Sequence, residues 1–180
     1  MPTQPDIETL VRAHYAFIRR LALTILDDGS AGAVHAADEA DEAAQDTFIA
    51  AHRALAHFRG DAGVKTWLTR IAINQCRGRL RKRKSRRRLQ NALESARMTA
   101  GGAAGLEAAA LRADAYRRLW QAVDALSEKH RIPVILRYVH ELTIPDIAAS
   151  LGLPEGTVHS RLHHARRRLR TLLEKEATHD

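Results

Sequence analysis

The chain has 180 residues, 45% of them hydrophobic, which suffices for one compact domain or two small ones and excludes wholesale disorder. Aromatics make up only 4% while alanine, leucine and arginine abound, so helices are favoured over sheets, and a net charge of +8 points to a polyanionic partner. A single cysteine, Cys76, excludes an internal disulfide, and no apolar run approaches the ~20 residues of a membrane span.

The opening "MPTQPDIETL" has no basic segment followed by an apolar one, so no secretory signal is expected and the location follows as cytoplasmic. Ile7, Leu10, Val11, Tyr15, Ile18, Leu21, Ala22 and Ile25 recur at three- and four-residue steps, which predicts one helix with a single apolar stripe. Residues 27–38 lack a clear phase and read as a loop. A second helix follows over 39–56. Ala44, Thr47, Phe48, Ala51 and Leu55 form its buried phase, and Glu39, Glu42, Gln45, Asp46 and Ile49 its opposite face. "HFRGDAG" (57–63) is a turn. A third helix begins near Ala62 with Asp61 as its cap, and its phase is Val64, Trp67, Leu68, Ile71, Ala72, Gln75 and Cys76. Cys76 therefore reads as a small buried hydrophobe. The helix runs into "RGRLRKRKSRRR" (77–88), where nine of twelve residues are basic, whereas 38–46 are acidic; charge sorted this way implies separate surfaces for separate partners.

Residues 85–112 read as a linker: "ESARMTAGGAAGLEAAA" has no sustained stripe and three glycines within five residues. Helical order returns over 113–176. Leu119, Val123 and Leu126 predict one helix. Ser127 caps the next, which buries Ile132, Ile135, Leu136 and Val139, and Pro133 removes one of its backbone hydrogen bonds. Thr143-x-x-Asp146 resembles a capping box opening a short helix, Ile144 to Leu151, and Gly152 supplies a left-handed stop. The last helix buries Val158, Leu162, Ala165, Leu169 and Leu172. Short helix, glycine turn, long basic helix is the pattern of a helix-turn-helix.

Four readings compete for that last helix. A solvated basic face explains its charge but not the turn and capping box. A metal site from His159, His163 and His164 has i,i+4 spacing but no cysteines or suitably placed carboxylates nearby. A membrane-surface helix needs large apolar anchors that it lacks. A DNA reader fits best: burial of Val158, Leu162 and Ala165 turns His159, Ser160, His163, Arg166 and Arg167 outward, where they reach base edges and phosphates. The amides of Glu155 to Thr157 head the helix, where a phosphate is favoured. The chain contains no nucleophile–base pair, phosphate loop or metal cluster, so neither catalysis nor a cofactor is expected.

Two blocks resemble a known family. "LTIPDIAASLGLPEGTVHSRLHHARRRLRTLL" is similar to region 4 of bacterial sigma factors, and "EADEAAQDTFIAAHRALAHFRGDAGVKTWLTRIAINQCRGRLRK" to their region 2. The order, with a short linker and no separate region 3 domain, resembles the extracytoplasmic-function class. The resemblance implies an all-α fold of two small helical domains: region 2 over 6–84, a linker over 85–112, and region 4 over 113–176. It implies a promoter-specificity subunit without enzymatic activity of its own.

The resemblance also assigns residues. Asp41, Glu42, Gln45, Asp46, Phe48 and Ile49 would dock on the clamp helices of the largest subunit of core RNA polymerase, and region 4 on the flap of the second-largest. An acidic face carrying Ile49 independently suits a basic partner. The 57–66 turn would capture a flipped base of the promoter's −10 element, with Lys65, Thr66, Trp67, Arg70, Asn74, Arg77 and Arg81 on the melted strand. Trp67 also lies in the apolar phase, so packing and base stacking both remain open. Arg79, Lys82 and Arg83 would join Arg81 in holding phosphates. Glu155, Gly156, Thr157, His159, Ser160, His163, His164 and Arg166 would engage the −35 element. Family members often place arginine or lysine at the position of His159, and charged or aromatic residues at those of His163 and His164. Neutral histidine at pH 7 alters the −35 preference and predicts binding that weakens as pH rises. The 27–38 stretch is longer than the family's usual connection. An anti-sigma protein is implied as a further partner. The rival readings are a stand-alone helix-turn-helix regulator at an operator, a general nucleic-acid adaptor using 77–88, and a module sequestering an acidic partner.

Overall fold

A computed structural model describes residues 6–27, 33–58, 60, 62–94 and 110–177, all of whose regular elements are helical. α1 spans Ile7–Leu26. Asp6 caps it by accepting the Glu8 amide at 3.2 Å, and Leu10, Ile18, Leu21, Ala22, Ile25 and Leu26 form its buried face. Each such leucine or isoleucine stabilises the fold by about 1.5–3 kcal/mol through burial. α2 spans Ala33–Ala54 and ends in a 3-10 turn, Leu55–His57. It therefore starts inside the stretch read as a loop: residues 33–38 are helical and Ala36 is buried, so "AVHAAD" continues the alanine-rich face. The remainder of that stretch, 28–32, and the expected cap Asp61 lie outside the described residues.

α3 spans Val64–Glu94. Leu68, Ala72, Ile73 and Cys76 are buried, and α1, α2 and α3 pack against one another pairwise. The helix continues through 85–94, the first part of the segment read as a linker, because arginine, leucine, glutamine and alanine there are strong helix formers even without an apolar stripe. Residues 95–109 lie outside the described set.

α4 spans Ala110–Asp124. Val123 is buried, but Leu119 is 43% exposed and Leu126 lies just beyond the helix. α5 spans Glu128–Val134 and passes directly into a π-turn, Ile135–Val139, in which the His140 amide bonds Ile135 O at 3.1 Å. Pro133, unable to donate a backbone bond, sits two residues before the first residue of that turn. The wider turn leaves Val139 46% exposed rather than buried. Ser127 heads α5, but its Oγ faces His130 Nδ1 at 3.1 Å instead of capping a backbone amide.

α6 spans Ile144–Leu151 and α7 Glu155–Ala177. α4, α5 and α6 all pack on α7, burying Val158, Leu162 and Ala165. α6 also packs on α3, so one contiguous buried cluster holds Ile25, Leu68 and Ile73 together with Ile132, Ile135 and Ile147.

Candidate nucleic-acid interface

The turn before α7 is built as its residues dictate. The Thr143 Oγ1 accepts the Asp146 amide at 3.3 Å and donates to Asp146 Oδ2 at 2.5 Å. Gly152, with φ 65° and ψ 42°, ends α6 in the left-handed region that a side chain would strain. Leu153 N then bonds Ala148 O at 3.0 Å, closing a Schellman-type stop. The chain re-enters helix at Glu155 with His159, Ser160, His163, His164, Arg166 and Arg167 exposed on one side. Glu155 and Gly156 head this helix in the open. Thr157 is half-buried, and its amide is committed to Pro154 O at 3.0 Å, which removes it from the phosphate-binding amides.

His130 was not singled out by sequence. It stands across from the recognition helix, its ring 6.4 Å from that of His164, which is in turn 5.8 Å from His163. Burial, followed by the charges of Lys129, His164 and Arg161, holds its pKa below the ordinary histidine value. A histidine three residues after a helix-heading serine was the only available signal.

On α3 the candidate −10 residues divide. Lys65, Arg70, Asn74 and Arg81 are exposed, and Lys65 Nζ lies 4.3 Å above the Phe17 ring. Trp67 packs on Phe58 with ring centroids 4.8 Å apart, so in this state it is a wall of the turn. Together with His57, Gly60, Ala62, Thr66 and Arg70 it lines a hollow whose far side is Ala149. Thr66 is buried: its hydroxyl donates to Asp146 Oδ1 at 3.0 Å and its carbonyl accepts Ser150 Oγ at 3.3 Å. Arg77 donates to Glu128 Oε1 at 2.9 Å. Two arginines expected to hold phosphates are engaged within the chain. Arg79 pairs with Glu42 (2.8 Å) and Asp46 (2.5 Å), and Arg83 pairs with Glu39 and donates to Leu26 O at 2.9 Å.

α2 carries the acidic surface. Ile49 is 51% exposed between exposed Gln45 and Glu42 and half-buried Asp46. Asp41 is tied to α1 at the surface; the Arg19 guanidinium at 2.5 Å holds its carboxyl below the usual carboxylate range, and the Tyr15 hydroxyl donates to it at 3.3 Å. Phe48 departs from its expected docking role. Only 6% exposed and stacked on Tyr15 at 6.0 Å, it is core, because its position follows the buried phase of α2.

Sigma-70 region 2 matches residues 10–86, and Sigma-70 region 4 matches residues 116–169. The chain is 39% identical over 139 residues to the RNA polymerase sigma-H factor of Pseudomonas aeruginosa, covering 74% of this chain and 72% of that protein. It is 34% identical over 166 residues to the extracytoplasmic-function sigma factor SigM of Mycobacterium tuberculosis, covering 92% and 76%. This chain belongs to the extracytoplasmic-function sigma factors of the sigma-70 family. As such it directs promoter-specific transcription initiation, and its family is a non-enzymatic initiation factor. Two solved structures share the fold: the sigma factor RpoE of Bartonella quintana bound to the anti-sigma factor NepR (TM-score 0.62, 24% identity, 93% of this chain and 96% of that one), and CnrH bound to the cytosolic domain of CnrY (TM-score 0.63, 24% identity, 94% and 88%).

For this sigma factor, no helix among the described residues is long and apolar enough to cross a membrane. Among the same residues no three His, Cys, Asp or Glu side chains converge as a metal site. Cys76 is fully buried, and burial pushes its thiol up to about 12, far from thiolate chemistry.

Proposed function

We propose that the three exposed surfaces divide the work of initiation. The α2 face around Glu42, Gln45, Asp46 and Ile49 docks on the clamp helices of core RNA polymerase, and region 4 meets the flap. α3 and the 57–63 turn take the −10 strand, using Lys65, Arg70, Asn74, Arg77 and Arg81. α7 lies in the major groove of the −35 element, with His159, Ser160, His163 and His164 on base edges and Arg166 on phosphate. The domains are 6–84 and 113–176, acting in the cytoplasm. The observation that carries this reading is the pairing, in one chain, of an exposed basic recognition helix with an acidic helix presenting Ile49 (51% exposed) to solvent. Both structural relatives are complexes with an anti-sigma factor or the cytosolic domain of another protein, which supports a similar inhibitory partner here. A stand-alone operator-binding regulator would leave the region 2 block without a role.

Run-off transcription tests the reading. Purified protein is added to sigma-free core polymerase and genomic fragments from its own source, and RNA 5′ ends are mapped. Discrete starts sharing −35 and −10 sequences are expected. Absence of starts together with failure to bind core would overturn it.

A further inference from the structure

Side chains able to carry positive charge converge beside the recognition helix, with no carboxylate among the described residues that line their hollow. Lys129 and His130 of α5 face Arg161 and His164 of α7, and Ser160 adds a hydroxyl to the wall. The nearest carboxylates are turned elsewhere. Glu128 accepts Arg77 at 2.9 Å, and Asp124 accepts Arg131 at 3.0 Å. Glu155 heads α7 outside the lining. A concave surface of cationic side chains without counter-charge fits an anion. The charge comes from side chains of two helices and not from helix-end amides, since the Thr157 amide is committed to Pro154 O at 3.0 Å.

The histidines give the hollow its own chemistry. Ser127 Oγ stands 3.1 Å from His130 Nδ1, which anchors the ring and leaves Nε2 for a ligand. The His130 ring lies 6.4 Å from that of His164, and His164 meets His163 edge-on at 5.8 Å. Rings at the first separation can each donate to a different oxygen of one phosphate. In the free chain a charge on His130 is opposed by burial first, then by Lys129, His164 and Arg161. A phosphate reverses that balance. Its negative charge favours the imidazolium at both rings, and each imidazolium then makes a charge-assisted hydrogen bond. Proton uptake and phosphate binding reinforce each other equally by linkage.

The neighbours say where the phosphate comes from. His159, Ser160 and His163 are exposed on the same helix, on the face assigned to the major groove. A duplex that takes this helix in its groove brings its backbone past the flanking helix. We propose that His130 and His164, with Lys129 and Arg161, clamp one backbone phosphate of the −35 duplex, and that they do so as imidazoliums, so that −35 binding takes up protons. This role for His130 rests on the assignment of α7 to the −35 element, and it moves His164 from base edge to phosphate. A phosphate contact carries no sequence choice, so the proton linkage extends to matched and scrambled duplexes alike.

The test uses the full chain assembled with core polymerase. Affinity is measured from about pH 8 to about pH 6 at fixed ionic strength, the range in which histidine titrates. One duplex carries the −35 sequence mapped by run-off, and a second has that sequence scrambled. The parent should bind both about tenfold or more tightly at the acid end, because each proton taken up changes affinity by up to about tenfold per pH unit. His130→Gln keeps a hydrogen-bonding side chain that cannot titrate. It should lose about half of that rise on a logarithmic scale, and His130→Gln with His164→Gln nearly all of it. His130→Lys supplies a fixed charge, so it should bind more tightly than the parent at the alkaline end and respond less to pH. Equal pH dependence in the parent, His130→Gln and His130→Lys overturns the clamp. A rise confined to the mapped sequence assigns the protons to base-edge histidines and overturns it too. Displacement of either duplex by inorganic phosphate at matched ionic strength would give the hollow to a free anion, with the same result. Equal affinity for both duplexes at every pH brings down the −35 assignment itself, and the clamp with it.

Discussion

α3 and α7 are both arginine-rich helices, and they use their charge in opposite ways. On α3, Arg79 and Arg83 are turned onto the chain's own carboxylates and a carbonyl, with side chains only 19–20% exposed. On α7, Arg166, Arg167, Arg168 and Arg170 face solvent. A run of basic residues therefore has no single meaning. α3 lies beside the acidic α2 and the open end of α1, so its inner arginines complete the fold. α7 turns its apolar stripe inward onto α4, α5 and α6, which leaves its charge for a partner.

The contrast breaks most severely at Arg83. Replacing it with Met strips Leu26 O and Glu39 of a mostly buried guanidinium, and breaking such a pair costs about 3 kcal/mol or more. For a chain of this size a loss of about 3 kcal/mol lowers Tm by roughly 6–12 °C. Calorimetry should show that drop with −10 strand affinity little changed. A normal Tm with weakened strand binding would put Arg83 on DNA after all. Next in size, His159→Ala with His163→Ala removes two of the base-edge contacts proposed for this helix, each worth about 1–3 kcal/mol of discrimination. Competition binding should flatten −35 preference by about thirtyfold or more while Tm holds; an unchanged preference would move base reading elsewhere on α7.

Arg166→Gln is smaller and of another kind. It should weaken all duplexes alike and reduce the slope of log affinity against log salt by about one. A selective loss at one sequence would show that Arg166 reads a base.

The smallest effect sharpens the contrast through an inward-turned histidine. His140 has a buried Nε2 without a hydrogen-bond partner among the described residues, and its ring meets Phe17 edge-on at 5.6 Å. Burial, with Arg20 and Lys65 adding to it, pushes its pKa down to about 4. The unfolded chain then binds the extra proton first as pH falls. The stability contributed by neutral His140 is complete above pH 6.5 and is lost progressively down to about pH 4. His140→Phe keeps a ring and removes the nitrogen, so its melting temperature should fall less steeply than the parent's across that window. Parallel slopes would assign the acid loss to other groups.

Much of this was legible in the chain itself, and for definite reasons. α6 runs from Ile144 to Leu151 as its capping threonine and stop glycine dictate, and Val158, Leu162 and Ala165 are buried as the spacing requires. Both are local signals. The boundary of α2 was missed because "AVHAAD" is alanine-rich and weakly patterned. Phe48 was placed on a surface by resemblance although its own phase put it in the core. The engagement of Thr66 by Asp146 spans eighty residues, and no periodicity carries such a pairing. His130 was invisible for the same reason: its neighbours Ser160, Arg161 and His164 lie far along the chain.

The last turn of α1 offers a final consequence. Its carbonyls at Ile25 and Leu26 receive arginines from α5 and α3, two elements that arrive from different directions. An α-helix advances about 100° per residue. One residue added or removed within α1 would swing both acceptors away from their donors together. Insertions and deletions within α1 should therefore be rejected, which makes the end of that helix a point on which two other elements are registered.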